Sequence, residues 1–262
     1  MPDKESAVRI LLIGDIVGKP GRTVLKERLG QILQTHRVDL CIANCENAAG
    51  GFGVTLEIID FLEREGVDIF TSGNHVWDKK EIYRIFEVKE TVLRPANYPE
   101  GVPGKGFTLT KTKSGHHVGI LNLAGRTFME SLDCPFRAAD KALETLRKST
   151  PLIVVDMHGE ATSEKIAMGW YLDGRVSAVL GSHTHVQTAD EKILPNGTAY
   201  ITDVGMTGPI HSVIGMKTEI ALTRFLTKIP RKFEPAAGDA QFNAVLVEID
   251  GKTGKGRHIQ RI

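Results

Sequence analysis

The chain has 262 residues, with 33 basic against 32 acidic side chains, a net charge of +1, 41% hydrophobic and 25% charged residues. This composition describes a globular chain and excludes global disorder; it shows no overall basic excess that would bind nucleic acid or an anionic membrane surface. At ~150 residues per domain the length permits one large domain or two small ones, with a core that needs no disulfide staples.

The opening Met1 to Ser6 is polar, and the first apolar run, Ile10 to Ile13, is too short for a leader or a spanning helix. From there strands and helices alternate. Val8 to Ile13 reads as a buried strand ending at Gly14, followed by a helix with Leu25, Leu29, Ile32 and Leu33 on one face. Val38 to Ala43 is a second strand, and the Gly50-Gly51-Phe52-Gly53 loop leads to a helix carrying Leu56, Ile59 and Leu62. Val67 to Phe70 is a third strand; Asp78, three residues before Glu81, reads as the cap of another helix. Phe107 to Thr112 and His117 to Leu123 flank a turn and predict a β-hairpin. A helix over 138–148, a strand over 152–155, a helix over 163–172 and a strand over 176–180 follow. The last third reads as strands at 199–202, 220–226, 243–249 and 257–262. The alternation predicts an α/β fold with largely parallel sheets, packed as a single domain over 1–262.

Cys41, Cys45 and Cys134 are an odd count without a CxxC pair, so a reducing cytoplasm is expected; Cys41 and Cys45 read as packed small residues and not as zinc ligands. Polar clusters instead follow the ends of five apolar strands: Gly14-Asp15, Asn44 to Asn47, Gly73-Asn74-His75, Asp156-Met157-His158 and Gly181-Ser182-His183-Thr184-His185. Each alone reads as turn chemistry, a cap or a satisfied histidine. Parallel strands would deliver all five to one rim, where open α/β sheets bind ligands. Asp15, Glu46, Asn47, Asn74, His75, His158, His183 and His185 combine oxygen and imidazole donors, which suit divalent first-row metals. They are too many for one tetrahedral ion and enough for two, with a side chain spare for acid–base work.

These clusters resemble the motifs of the calcineurin-like metallophosphoesterases. The G-N-H motif is intact at 73–75, His158 fits the lone histidine, and the G-H-x-H motif carries an inserted Ser182. Val17 stands where the first motif has a histidine, and Glu46 where the second has an aspartate. With those departures, the stretches at 13–22, 44–53, 72–78, 94–99 and 203–209 are similar to the bacterial 2′,3′-cyclic-nucleotide 2′-phosphodiesterase branch. The resemblance implies a metallophosphoesterase sandwich, two central β-sheets flanked by helices. It implies two metal ions, iron with manganese as the alternative. Asp15, Asn47 and His185 would hold one, Asn74, His158 and His183 the other, and Glu46 would bridge them.

His75 would be the general acid, opposite a hydroxide held between the ions, and loss of the 2′ oxygen would give a nucleoside 3′-phosphate. The expected partner is a cyclic-nucleotide substrate, with no stable nucleic-acid or membrane partner, and the resemblance suggests a homo-oligomer. Asp156 and Glu160 are candidates to orient ligand imidazoles, against a reading as cap or surface pair. Arg126 could meet phosphate, Trp77 and Tyr98 could stack a base or simply pack, and His211 could approach the site. Competing functions are a broader phosphatase or phosphodiesterase, a regulatory protein retaining the metal site, and a mononuclear iron oxygenase. The last leaves Glu46, Asn74 and two histidines without a task.

Overall fold

Side-chain alternation assigns each strand residue to one of two cores. The computed structural model describes residues 7–262, so Met1 to Ser6 lie outside the described residues. In β1 (Ala7–Ile13), Val8, Ile10 and Leu12 enter one core while Leu11 and Ile13 enter another. The chain continues through β2 (Asp15–Ile16), α1 (Gly18–Thr35), β3 (Leu40–Asn44), α2 (Leu56–Glu65), β4 (Ile69–Thr71) and α3 (Glu81–Val88). The hairpin β5 (Phe107–Lys111) and β6 (His117–Ala124) follows, then α4 (Pro135–Leu146), β7 (Ile153–His158), α5 (Thr162–Leu172) and β8 (Ala178–Ser182). The chain ends with β9 (Lys192–Ile193), β10 (Ala199–Ile201), β11 (Met206–Pro209), α6 (Thr218–Thr227), β12 (Ala240–Gln241), β13 (Ala244–Asp250) and β14 (Gly256–Arg261).

Two sheets stack face to face, in the orders β14-β13-β1-β3-β4 and β5-β6-β7-β8-β10-β9. Their facing side chains, Val8, Ile10 and Leu12 against Val118, Ile120, Val154 and Leu180 among others, form the central core. Helices α1, α2 and α3 cover the outer face of the first sheet through Leu25, Leu29, Ile59, Leu62, Ile82 and Ile85. On the second sheet, α4 and α5 do the same through Ala139, Leu143, Leu146, Met168 and Leu172. The result is the expected sandwich of two sheets flanked by helices. A small third sheet, β12-β11-β2, is added; it pairs Asp15 with Met206 and fixes the backbone that carries Asp15. In the first sheet β1, β3 and β4 are parallel, and in the second β6, β7, β8 and β10. Their carboxyl ends share one rim.

Two expectations are corrected. Residues 220–226 are not a strand; they lie in α6. Glu219, Ala221, Leu222 and Arg224 are strong helix formers, and both edges of β13 are already taken, by β1 and β14, so no partner edge is open to another strand there. Asp78 does not cap α3, whose N-cap is Lys80 without a side-chain bond. Its carboxylate Oδ2 instead lies 2.8 Å from His75 Nδ1. Among the described residues, no helix is long and apolar enough to cross a membrane.

Candidate metal centre

The parallel strands run further toward the rim than their apolar runs suggest. β3 ends at Asn44, β4 at Thr71, β7 at His158 and β8 at Ser182. These buried polar ends satisfy one another. Asp156 Oδ2 accepts from Thr71 Oγ1 at 2.5 Å, and Asp156 Oδ1 accepts from Ser182 Oγ at 2.5 Å. Glycine permits the tight packing: a Cβ on Gly73 would collide with the His158 imidazole, and one on Gly181 with the Thr202 carbonyl.

His158 Nε2 is the hub. It lies 2.9 Å from Glu46 Oε1, 3.1 Å from Asn74 Oδ1 and 3.0 Å from His183 Nδ1. Such separations match neighbouring ligands around a cation bound at about 2.1 Å. In each histidine the other ring nitrogen is engaged, which orients the ring and leaves one nitrogen free for a metal. His158 Nδ1 lies 3.0 Å from Ser182 Oγ, whose own proton goes to Asp156. His183 Nε2 lies 3.1 Å from Glu160 Oε2. His185 Nδ1 donates to the Ile214 carbonyl at 2.9 Å, with Nε2 3.8 Å from Asp15 Oδ1.

The oxygen donors show the same division. Asp15 Oδ2 accepts from the His183 amide, Glu46 Oε2 from the His75 amide, and Asn47 Nδ2 donates to the Gly51 carbonyl. The remaining atoms, Asp15 Oδ1, Glu46 Oε1 and Asn47 Oδ1, are buried without a hydrogen-bond partner. Glu46 Oε1 and His158 Nε2, 2.9 Å apart, both face the middle of the cluster. Orphaned buried oxygens carry a substantial desolvation cost, and a cation removes it. The residues present therefore fit a metal centre. Val17 is buried beside Gly208, Gly215 and Met206, an apolar setting that supplies no donor.

Electrostatics point the same way. Burial raises the Asp15 carboxyl above its ordinary value and pushes Asp156 up to about 6. Burial also opposes the charge on Glu46, but His158 and His75 outweigh it and bring Glu46 down to about 2. For His158 burial favours the neutral ring, and the surrounding Glu46, Asp15 and Asp156 overcome it, raising it to about 9. Burial and the neighbouring His158 charge lower His183 to about 3.

His75 sits at the edge of the cluster. Its ring packs edge-on to Phe52, with centroids 4.9 Å apart, and Asp78 holds Nδ1, leaving Nε2 free. The geometry brings Asp15, Glu46, Asn74, His158, His183 and His185 together by direct distances; Asn47 adjoins through Glu46 and its free buried oxygen. Sequence reading missed Asp78, Ser182, the Ile214 carbonyl and the Lys165–Asp203 pair. Lys165 Nζ, fully buried, lies 2.8 Å from Asp203 Oδ2, which also accepts from the Thr184 amide and hydroxyl. This braces the turn in which His183 and His185 take φ of 97° and 66°. The inserted Ser182 was a visible signal; the lysine, well back along the chain on a helix, gave none. Trp77 packs against Tyr83, Phe86 and Tyr98, and Arg126 and His211 are exposed.

A two-sheet α/β sandwich whose parallel strand ends gather carboxylate, amide and imidazole donors defines a metallophosphoesterase. The sequence profile of the YmdB-like protein family matches residues 11–262, and the chain belongs to that family. It is 50% identical to the 2′,3′-cyclic-nucleotide 2′-phosphodiesterase of Bacillus subtilis (strain 168) over 255 residues, 97% of this chain and 96% of that protein. Two crystal structures are similar. A hypothetical protein from Thermus thermophilus has 45% identity and a TM-score of 0.92, covering 97% of this chain and 98% of that one. A novel phosphatase from Mycoplasma pneumoniae has 35% identity and a TM-score of 0.91, covering 98% and 92%.

Proposed function

We propose that this chain is a two-metal phosphodiesterase that hydrolyses nucleoside 2′,3′-cyclic phosphates to 3′-phosphates. The observation that carries this reading is the set of buried, partnerless oxygens on Asp15, Glu46 and Asn47 beside the His158 hub, in a chain half identical to the Bacillus enzyme. Asp15, Asn47 and His185 would hold one ion, Asn74, His158 and His183 the other, and Glu46 would serve both. Oxygen and imidazole donors suit iron, our first assignment, and manganese. When bound, the ions supply an acidified water as nucleophile and neutralise charge on the phosphate.

His75 gives its proton to the departing 2′ oxygen as the phosphorus–O2′ bond breaks. Asp78 holds Nδ1, which leaves Nε2 to carry the proton, and the Glu46 carboxylate fixes the His75 backbone. The attacking water supplies the oxygen that replaces O2′, and its proton restores His75. The second reading is broader phosphatase or phosphodiesterase activity, favoured by the Mycoplasma relative described as a phosphatase. A panel of 2′,3′-cyclic AMP, 3′,5′-cyclic AMP and p-nitrophenyl phosphate separates the two. Preference for the first with 3′-AMP as product supports the proposal; preference for the monoester, or 2′-AMP as product, contradicts it.

Residues 1–262 act as one unit in this reading, in a reducing cytoplasm consistent with free Cys41, Cys45 and Cys134. Homo-oligomerisation is supported by the apolar residues that α6 leaves in water, Leu222 at 51%, Phe225 at 69% and Leu226 at 82% exposure. Light scattering on the purified protein tests it: a mass above that of one chain agrees, and a monomer at micromolar concentration disagrees.

A further inference from the structure

We propose that Phe128 is the nucleobase-stacking residue of this site, the wall on which the base of the substrate rests while its phosphate lies on the metal floor. The inference builds on the cyclic-nucleotide reading above. Strand β6 ends at Ala124, paired in register with His158, so the loop that follows starts beside the metal cluster. Its backbone is pinned on both sides of Phe128. The Glu164 carboxylate accepts from the amides of Arg126 and Thr127, each at 3.0 Å, and the Met129 amide donates to the Arg126 carbonyl. Between those anchors Phe128 takes φ of 62°, in the left-handed region, and the residue is 89% exposed. A phenyl ring held in water on a fixed, unfavourable backbone gains nothing from folding.

That ring borders a cavity of ≈ 390 Å³ lined by Asn74, His183, Phe128, Met129 and Glu130. Asn74 and His183 are two of the proposed ligands, so cations held there would draw the anionic end of a substrate to that side of the cavity. Glu130, two residues beyond Phe128 in the same loop, repels that end, leaving this side of the cavity to the neutral, flat end. A base has a π-face whatever its identity, and an aromatic ring is the side chain that stacks on it. The other aromatics near the centre are engaged: Phe52 against His75, and Trp77 against Tyr83, Phe86 and Tyr98.

The test compares 2′,3′-cyclic AMP with ribose 2′,3′-cyclic phosphate, which lacks a base, on metal-loaded wild-type, Phe128→Ala and Phe128→Trp proteins of equal metal content. Phe128→Ala is expected to raise KM for 2′,3′-cyclic AMP about tenfold, the loss of one aromatic–base stack, with kcat held within about twofold. The loss is confined to the substrate that carries a base, and Phe128→Trp restores the low KM. Equal losses on both substrates, or an unchanged KM for 2′,3′-cyclic AMP in Phe128→Ala, overturn the role of Phe128 alone. A wild-type enzyme that turns over neither compound overturns the cyclic-nucleotide reading, and the stacking role with it.

Discussion

At the scale of single residues, the proposed mechanism assigns holding the metal and protonating the leaving group to different side chains. His75 does not belong to the ring of donors around His158 Nε2; its contacts are Asp78, Phe52 and the Glu46 carboxylate through its amide. Replacing it with alanine is expected to lower kcat about 10²- to 10⁴-fold. Metal content, measured by mass spectrometry, stays at the wild-type level; a loss of metal would make His75 a ligand. Asp78→Asn keeps the shape and removes the carboxylate, and a drop in kcat of about tenfold is expected, again with metal retained.

His158 gives a pH dependence. Its folded, metal-free value near 9 lies above the ordinary 6.5, because three carboxylates outweigh burial. The imidazolium therefore stabilises the metal-free fold fully below pH 6.5, and this contribution is lost as pH rises through about 9. Metal binding requires the neutral ring, so loading at pH 7.5 is expected to release about one proton from this site, and progressively less as pH passes 9. Calorimetric titration in buffers of different ionisation enthalpy reads that number; proton release independent of pH would contradict the assignment.

At the scale of elements, the parallel strands were legible as apolar runs, but their last residues were not. Asn44, Thr71, Asp156 and Ser182 look like the start of loops because polar residues usually end buried strands. Here they stay in the ladder because each finds a partner: Ser182 bonds Asp156 on the neighbouring strand, and Asn44 and Thr71 reach the same carboxylate from the facing sheet. The donor residues stood out as candidates because they cluster after strand ends, whereas Asp78 was read as a cap because an acid three residues before Glu81 fits that pattern equally well. The 220–226 stretch shows the same ambiguity: a short apolar run does not reveal whether a strand edge is available to it.

The bracing elements carry testable energy. Lys165→Met leaves Asp203 buried and uncompensated, so a loss of about 3–5 kcal/mol in unfolding free energy is expected from denaturant melts. Ser182→Ala cuts the link from Asp156 to His158 Nδ1 and is expected to weaken metal affinity about 10- to 100-fold by competition with a chelator. An unchanged affinity would assign Ser182 to packing alone.

At the scale of the whole molecule, two sheets place their carboxyl ends on one rim, and the third small sheet seats Asp15 between them. The parallel sheets were readable as alternation of strands and helices, and the sandwich was implied by the family resemblance; the third sheet was not readable, since β2 and β12 have two residues each and no pattern of their own. The donors come from all three sheets: Glu46 and Asn74 follow strands of the first, His158, His183 and His185 end or follow strands of the second, and Asp15 lies in the third. The central claim is that this rim holds two cations that hydrolysis requires. Metal analysis of protein purified without added metal, followed by chelation and assay on 2′,3′-cyclic AMP, tests it most directly. The expected result is about two equivalents of iron or manganese per chain, removed together with turnover and restored with it. Full turnover in a chain stripped of metal would contradict the account.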